Sequence, residues 1–479
     1  MRLEGLIAEA SLRELGLLMT VLGEPATEVR ALTMDSRRVA SGALFACVPG
    51  EHRDGHEFAA AAVAEGATAV ISERPLDLAV PQVVVSSVRQ ALGPIADAFF
   101  GHPSRSLTVV GVTGTNGKTT TCALLEGAFE ANGWTTTAIG TLTQQRTTPE
   151  APDLHGLLAE WRDRGGDAVA MEVSSHALVH HRVDAVRFAA GVFTNLTPEH
   201  LDYHHTMEDY FEAKALLFAP DRIGLAVVNR SDPWGQRLLE RLSGSDIPVA
   251  TFAPEEASQV ELSPGRSQFT WDGQPITINL GGRFNIANAL AAAACARALG
   301  VPTATVAAGL SSVPGVRGRF ESVDAGQPFT VLVDYAHTPD GLAQALQGAR
   351  ELTTSALLVV FGAGGDRDHD KRPLMGQVAS RLADLAIVTS DNPRSEDPDA
   401  IIAQVVSGAA DQGNLLTEPD RARAISNALA NARPGDVVLI AGKGHEPGQE
   451  IGGRVLPFDD AETARTSLLR ILASRQEHQ

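Results

Sequence analysis

Residues 107–120 read LTVVGVTGTNGKTT: an apolar, β-branched run, then closely spaced glycines, then lysine and threonine. This pattern describes a buried strand that turns sharply into a helix. A strand apolar on both faces belongs to a covered parallel sheet, and parallel neighbours need crossover connections that are usually helical. The loop therefore commits the chain around it to an α/β fold. It also carries chemistry. Glycine lets backbone N–H groups close on phosphate oxygens, and the following helix N-terminus adds partial positive charge. Lys118 can reach terminal phosphates, and the Thr119 hydroxyl suits a magnesium ion. The common spacing GxxxxGK[ST] would place glycine at 112, where this chain has Val112, so the loop is a variant of that motif. The helix is expected over Cys122–Ala131, closed by Asn132-Gly133.

The same alternation continues along the chain. ALFACVPG, TAVISE and PQVVVSS read as strands around an alanine-rich helix before residue 105. DAVAMEV reads as a strand, and TVLVDY, ALLVVFG, LAIVTS and DVVLIAG read as four more. The turn-rich GHPSRS and the stop at Gly300-Val-Pro302 divide the text. The expected architecture is α/β in three domains: a small α/β unit over 1–105, a central P-loop ATPase-type parallel-sheet domain over 106–316, and a Rossmann-like C-terminal domain over 317–479. A length of 479 residues is consistent with that number of cores.

Composition narrows the partners. Lys and Arg total 39 against 58 for Asp and Glu, a formal charge of −19. That balance argues against general nucleic-acid binding, which draws on a basic face. Cys47, Cys122 and Cys295 form no CxxC pair, so no disulfide framework or cysteine zinc site is expected. The start of the chain lacks an apolar signal core. The alanine-rich run Ala287–Leu299 is interrupted by Asn288 and Arg297, so it reads as a packed helix. A cytoplasmic protein without a membrane segment is expected.

Glu172 ends a strand where an acid could hold magnesium beside the phosphate loop. Six histidines fall between positions 176 and 205. His176/His180 and His200/His204 have i, i+4 spacing, which zinc sites use, but neither is an HExxH. Partly exposed structural histidines fit most of the six. Ser174-Ser175-His176 lacks the GxSxG setting of a nucleophilic serine. GAGGDRD at 362–368 fails the GxGxxG fingerprint at Arg367. Its charges, with Lys371 and Arg372, suit either an anion-contacting loop or a solvated turn.

Taken together, TGTNGKTT, MEVSSHAL, FTNLTPEHLDYH, FNIANALAA, VRGRFE, VDYAHTPD and AGKGHE occur in the order found in the Mur ligases of bacterial cell-wall synthesis. The chain resembles that family along nearly its whole length. The resemblance implies ATP-driven activation of a carboxylate as an acyl phosphate, followed by attack of an amine. It implies ATP and Mg²⁺ as cofactors. Gly114, Thr115, Asn116, Gly117, Lys118, Thr119 and Thr120 would bind phosphates, with Asn285 and Asn288 near adenine and Arg319, Asp334 and His337 closing from the C-terminal side. Thr119 and Glu172 would hold one Mg²⁺. His200 and Lys214, carbamylated in the family, would hold another.

TMDSRR and the residues after it resemble the uridine-diphosphate domain of ligases that add the third peptide residue. The implied substrate is UDP-N-acetylmuramoyl-L-alanyl-D-glutamate. Met34, Ser36, Glu51, His52 and Arg53 match uridine-side positions. Thr147, Thr148, Ser174, His180 and Arg182 match contacts to the sugar-peptide, although glutamine is common at the His180 position. Asp391-Asn392-Pro393-Arg394 resembles the motif of enzymes that add meso-2,6-diaminopimelate, with Arg372, Gly442 and Glu446 matching further contacts. A guanidinium can grip the second carboxylate that lysine lacks. L-lysine or L-ornithine as the added residue, or a related amide ligase such as folylpolyglutamate synthase, are the alternatives. A monomer is expected. The basic residues Lys118, Arg182, Arg319, Arg372 and Arg394 are expected to converge on a cleft that receives anionic substrates.

Overall fold

The computed structural model describes residues 1–50, 53–409 and 413–477. Glu51 and His52 lie outside the described residues. Three α/β domains are built on separate sheets. The N-terminal sheet runs Leu18–Leu22, Gln82–Val85, Ala67–Ser72, Ala43–Ala46, Ala31–Thr33. Only the Leu18–Leu22 edge is antiparallel.

The central sheet is six-stranded and parallel, in the order Val249–Phe252, Ala226–Asn229, Ala190–Phe193, Thr108–Thr113, Ala168–Glu172, Thr136–Ile139. The strand that leads into the phosphate loop is thus interior, as its unbroken apolar run requires. An antiparallel meander, Ser258–Ser263, Arg266–Trp271 and Gln274–Ile278, packs beside it. The C-terminal sheet runs Glu321–Ser322, Thr330–Asp334, Val437–Ala441, Leu357–Phe361, Leu385–Val388, Leu415–Thr417, parallel except at the first strand.

Two helices fix the geometry of the central domain. The alanine-rich run is the helix Arg283–Ala298, buried over most of its circumference. Small side chains let it lie close to the helix Lys118–Ala131, and both belong to one apolar core. The latter helix begins four residues earlier than the expected start at Cys122. Thr119, Thr120 and Thr121 are all buried, and this packing outweighs their modest helix propensity. Gly117 makes the entry possible with φ +89°; a Cβ there would lie 2.2 Å from Asn288 Oδ1. Among the described residues, no helix is long and apolar enough to cross a membrane.

The parallel strands end at one cleft. Thr108–Thr113 delivers the phosphate loop and Ala168–Glu172 delivers Glu172. From the C-terminal domain, the strand Thr330–Asp334 delivers Asp334. Ligands of open parallel sheets bind at such carboxyl-end crevices.

Candidate active site

A cavity of about 490 Å³ lies between the central and C-terminal domains. The phosphate loop forms one wall. Lys118 Nζ donates to the carbonyls of Gly114 at 3.0 Å and Thr115 at 2.7 Å, which folds its ammonium back over the loop. Thr119 Oγ1 donates to Glu172 Oε1 at 3.0 Å, and the Thr141 N–H donates to the same oxygen at 2.8 Å. Arg319 crosses from the C-terminal side, donates to Thr119 Oγ1 at 2.9 Å, and lies over the Tyr335 ring. A hydroxyl and a carboxylate oxygen, adjacent beside a phosphate loop, are the hard donors that Mg²⁺ takes. The residues present fit that ion.

Glu199, His176, His200 and His337 also line the cavity, and Lys214 packs against the phosphate loop. Glu199 Oε1 lies 3.4 Å from His337 Nε2 and 3.7 Å from His200 Nε2. Burial would raise the Glu199 pKa, but the His337 hydrogen bond and the nearby charges hold it well below the carboxylate range. Burial pushes His200 down to about 4. The Lys214 side chain is enclosed, with its residue only 1% exposed. Its Nζ donates to the Gly114 carbonyl at 2.8 Å and lies over the Tyr210 ring. Burial, reinforced by Lys118, pushes its pKa well below the lysine range. The histidines stack more than they converge: His176 packs against His200, Tyr203 and His204, and His204 Nε2 meets Ser175 Oγ at 2.9 Å. Among the described residues, no three His, Cys, Asp or Glu are arranged to hold a metal ion.

Most of the expected nucleotide and peptide residues meet in this cavity. Thr115, Asn116, Gly117, Thr120, Asn285, Asn288, Asp334 and His337 line it, as do Thr147 and Ser174. Asn285 Nδ2 donates to the Gly281 carbonyl and its Oδ1 accepts from Asn288, which fixes both amides. Asp334 accepts from the N–H groups of Phe320 and Ala336, and burial raises its pKa. Thr148 is buried beneath the site, donating to the Glu172 carbonyl at 2.9 Å.

A narrow cleft on the other side joins the N-terminal and central domains. Met34, Arg89, Glu150, His180 and Arg182 line it. Glu150 Oε1 accepts from Arg182 at 2.9 Å and Arg146 at 2.7 Å, so an internal carboxylate occupies the basic cluster. His180 Nε2 lies 3.2 Å from Tyr203 Oη. Ser36 opens a short 3₁₀ turn after Met34. Arg53 is exposed, and its carbonyl accepts from the Gly50 N–H.

The expected amino-acid residues gather on the C-terminal domain. Arg394 has a left-handed backbone (φ 54°) and donates through Nη1 to the Gly365 carbonyl at 2.5 Å. Asp391 lies so close to Gly442 that a Cβ there would stand 2.5 Å from Asp391 Oδ2. Pro393 packs on Gly365, where a Cβ would meet the proline carbonyl at 2.0 Å, so the glycines of GAGG serve close packing of two loops. Asn392 is fully engaged: Oδ1 accepts from Lys443 and the Glu450 N–H, and Nδ2 donates to Glu446. Lys443, which no spacing signal singled out, is a buried cation between Asn392 and Glu446. Arg372 stands beside Arg394, with its Nη2 on the Gly364 carbonyl at 3.1 Å. Its guanidinium is buried, forked onto Glu396 at 2.8 and 2.9 Å and bonded to Gln404; of the five basic residues expected at one cleft, Lys118 and Arg319 line the cavity, Arg182 lines the narrow cleft, and Arg372 and Arg394 lie on the C-terminal domain.

Three family models cover most of the chain: "Mur ligase family, catalytic domain" over 28–100, "Mur ligase middle domain" over 112–296 and "Mur ligase, glutamate ligase domain" over 318–444. The chain is 48% identical to a UDP-N-acetylmuramoyl-L-alanyl-D-glutamate–2,6-diaminopimelate ligase of Geobacillus kaustophilus, covering 92% of this chain and 95% of that protein. It is 46% identical to the protein of the same name from Streptomyces avermitilis, covering 92% of each. A solved structure of that name superposes with TM-score 0.66 at 31% identity, covering 96% of this chain and 98% of that one. An ADP complex of MurF ligase from Thermotoga maritima shares the fold, with TM-score 0.66 at 20% identity, over 93% of this chain and 99% of that one. The chain belongs to the Mur ligase family.

Proposed function

We propose that this chain is an ADP-forming amide ligase that joins meso-2,6-diaminopimelate to UDP-N-acetylmuramoyl-L-alanyl-D-glutamate, acting as a cytoplasmic monomer in peptidoglycan precursor synthesis. The observation that carries the reading is the single cavity in which the phosphate loop, Glu172 and the C-terminal residues Arg319 and His337 meet. A carboxylate is a poor electrophile, so its γ-phosphoryl transfer from ATP must come first. Lys118, held on two loop carbonyls, is the cation placed to stabilise the transferring phosphoryl group. The amine then attacks the acyl carbon, and phosphate leaves.

Thr119 and Glu172 would hold Mg²⁺, which when bound neutralises phosphate charge. A carbamate on Lys214, with His200, would hold a second ion; the buried, readily deprotonated amine supports this, because only a free amine adds CO₂. The N-terminal domain would take the uridine nucleotide, the central domain ATP and the C-terminal domain the amino acid. A cavity walled by two domains also favours exclusion of water from the acyl phosphate.

Phosphate release from ATP is the direct assay. Release is expected only with UDP-N-acetylmuramoyl-L-alanyl-D-glutamate and diaminopimelate both present. Release without the amino acid would instead indicate a hydrolytic switch, and no release under any combination would indicate a nucleotide-binding module without turnover.

A further inference from the structure

The C-terminal helix Pro339–Leu352 starts against the phosphate loop, capped by Thr338. One carboxylate oxygen in its first turn, Asp340 Oδ2, accepts three hydrogen bonds: from Asn116 Nδ2 at 3.0 Å, Thr197 Oγ1 at 2.9 Å and Gln344 Nε2 at 2.8 Å. Gln344 belongs to the same helix. Asn116 and Thr197 belong to the central domain, so the oxygen bridges two domains.

Both bridges reach the same stretch of loop. Asn116 immediately precedes Gly117 and Lys118. Its backbone is already held, with the N–H on Asn195 Oδ1 at 2.9 Å and the carbonyl accepting from Thr194 Oγ1 and Asn195 Nδ2. Only its side chain extends across the interface. Thr197 exchanges hydrogen bonds with Thr115, through its N–H at 3.0 Å and its carbonyl at 3.1 Å. Asp340 is therefore tied to residues 115 and 116 by two independent routes. Three protein donors already occupy Asp340 Oδ2, and through two of them the carboxylate acts on the orientation of the loop.

We infer that Asp340 is a positioning residue that holds the phosphate loop in its nucleotide-binding shape and couples that shape to the C-terminal domain. The inference rests on the reading of the cavity as a nucleotide site. A loop that is ordered before binding loses less conformational entropy when the phosphates arrive. Without Asp340, that ordering falls on the nucleotide.

Calorimetric titration of the full chain with ADP tests this apart from ligation. D340A is expected to weaken ADP by about tenfold, whereas D340N, which keeps an acceptor oxygen, stays within about threefold of wild type. N116A is expected to weaken ADP as well, and the D340A/N116A double variant is expected to be little worse than D340A alone, because the two side chains act through one contact. Thermal melting checks that each variant is folded; if D340A is not, N116A, T197V and their combination test the same bridge from the central side. Wild-type affinity in D340A, or losses that simply multiply in the double variant, would overturn the inference. In the substitute set, wild-type affinity of the N116A/T197V combination would do so. A wild-type chain that binds no ADP would overturn the nucleotide reading itself, and this inference with it.

Discussion

Lys214→Ala is expected to lower the ligation rate by at least about a hundredfold while leaving the protein folded. The side chain occupies a position where an ordinary lysine gains little. It is enclosed, its Nζ donates to the Gly114 carbonyl, and burial disfavours its charged form. On the proposed reading, the uncharged amine would add CO₂, and the resulting carbamate would be an oxygen-donor ligand in place of a cation. Several kcal/mol of transition-state stabilisation commonly depends on such metal coordination. Added bicarbonate is not expected to rescue the alanine variant, because no amine remains to carry the carbamate. Steady-state rates with and without bicarbonate check both points. Full activity in Lys214→Ala would remove the carbamate from the account.

Arg394→Ala is expected to raise KM for diaminopimelate on the order of a hundredfold and to leave ADP affinity within about twofold of wild type. Arg394 is held by its neighbours before any substrate arrives. Its N–H donates to the Glu450 carbonyl at 2.9 Å, its carbonyl accepts from Gly452 at 2.7 Å, and Glu450 Oε2 stands 3.4 Å from Nε. The hairpin Gly448–Ile451/Arg454–Pro457 thus holds the Arg394 backbone in a strained left-handed conformation. Diaminopimelate offers a second carboxylate to this group and lysine does not. The variant should therefore lose its preference between the two amino acids by losing diaminopimelate, with little change for lysine. Kinetics with each amino acid measure that ratio. An unchanged KM for diaminopimelate would place the specificity elsewhere.

Much of this site could be read directly from local sequence. The phosphate loop was legible because a buried strand, spaced glycines and Lys118 lie within a dozen contiguous residues, and the physics of phosphate binding is itself local. Glu172 was legible for the same reason, as the last residue of an apolar strand. The alternation of strands and helices in the C-terminal third likewise gave its parallel sheet. The meander over Ser258–Ile278 was harder to see, since its alternation is carried by mixed residues such as Ser267, Phe269 and Trp271. Glu199 and Asp340 were not legible as site residues. Their importance comes from what stands across a domain interface, His337 in one case and Asn116 in the other, and no spacing within one segment encodes that. Lys443 was hidden likewise: it is buried only because Asn392 and Glu446 surround it. Arg372 illustrates the converse. Its charge is legible in sequence, but its pairing with Glu396, distant in sequence, is not.

The central claim is that ATP activates the D-glutamyl carboxylate as an acyl phosphate. The most direct measurement uses UDP-N-acetylmuramoyl-L-alanyl-D-glutamate carrying ¹⁸O in that carboxylate, with ATP and diaminopimelate, followed by mass analysis of the released phosphate. The carboxylate oxygen that attacks the γ-phosphorus leaves with the phosphate when the amine displaces it, so each turnover should transfer one labelled oxygen to inorganic phosphate. Phosphate free of ¹⁸O, alongside amide product, would contradict the account.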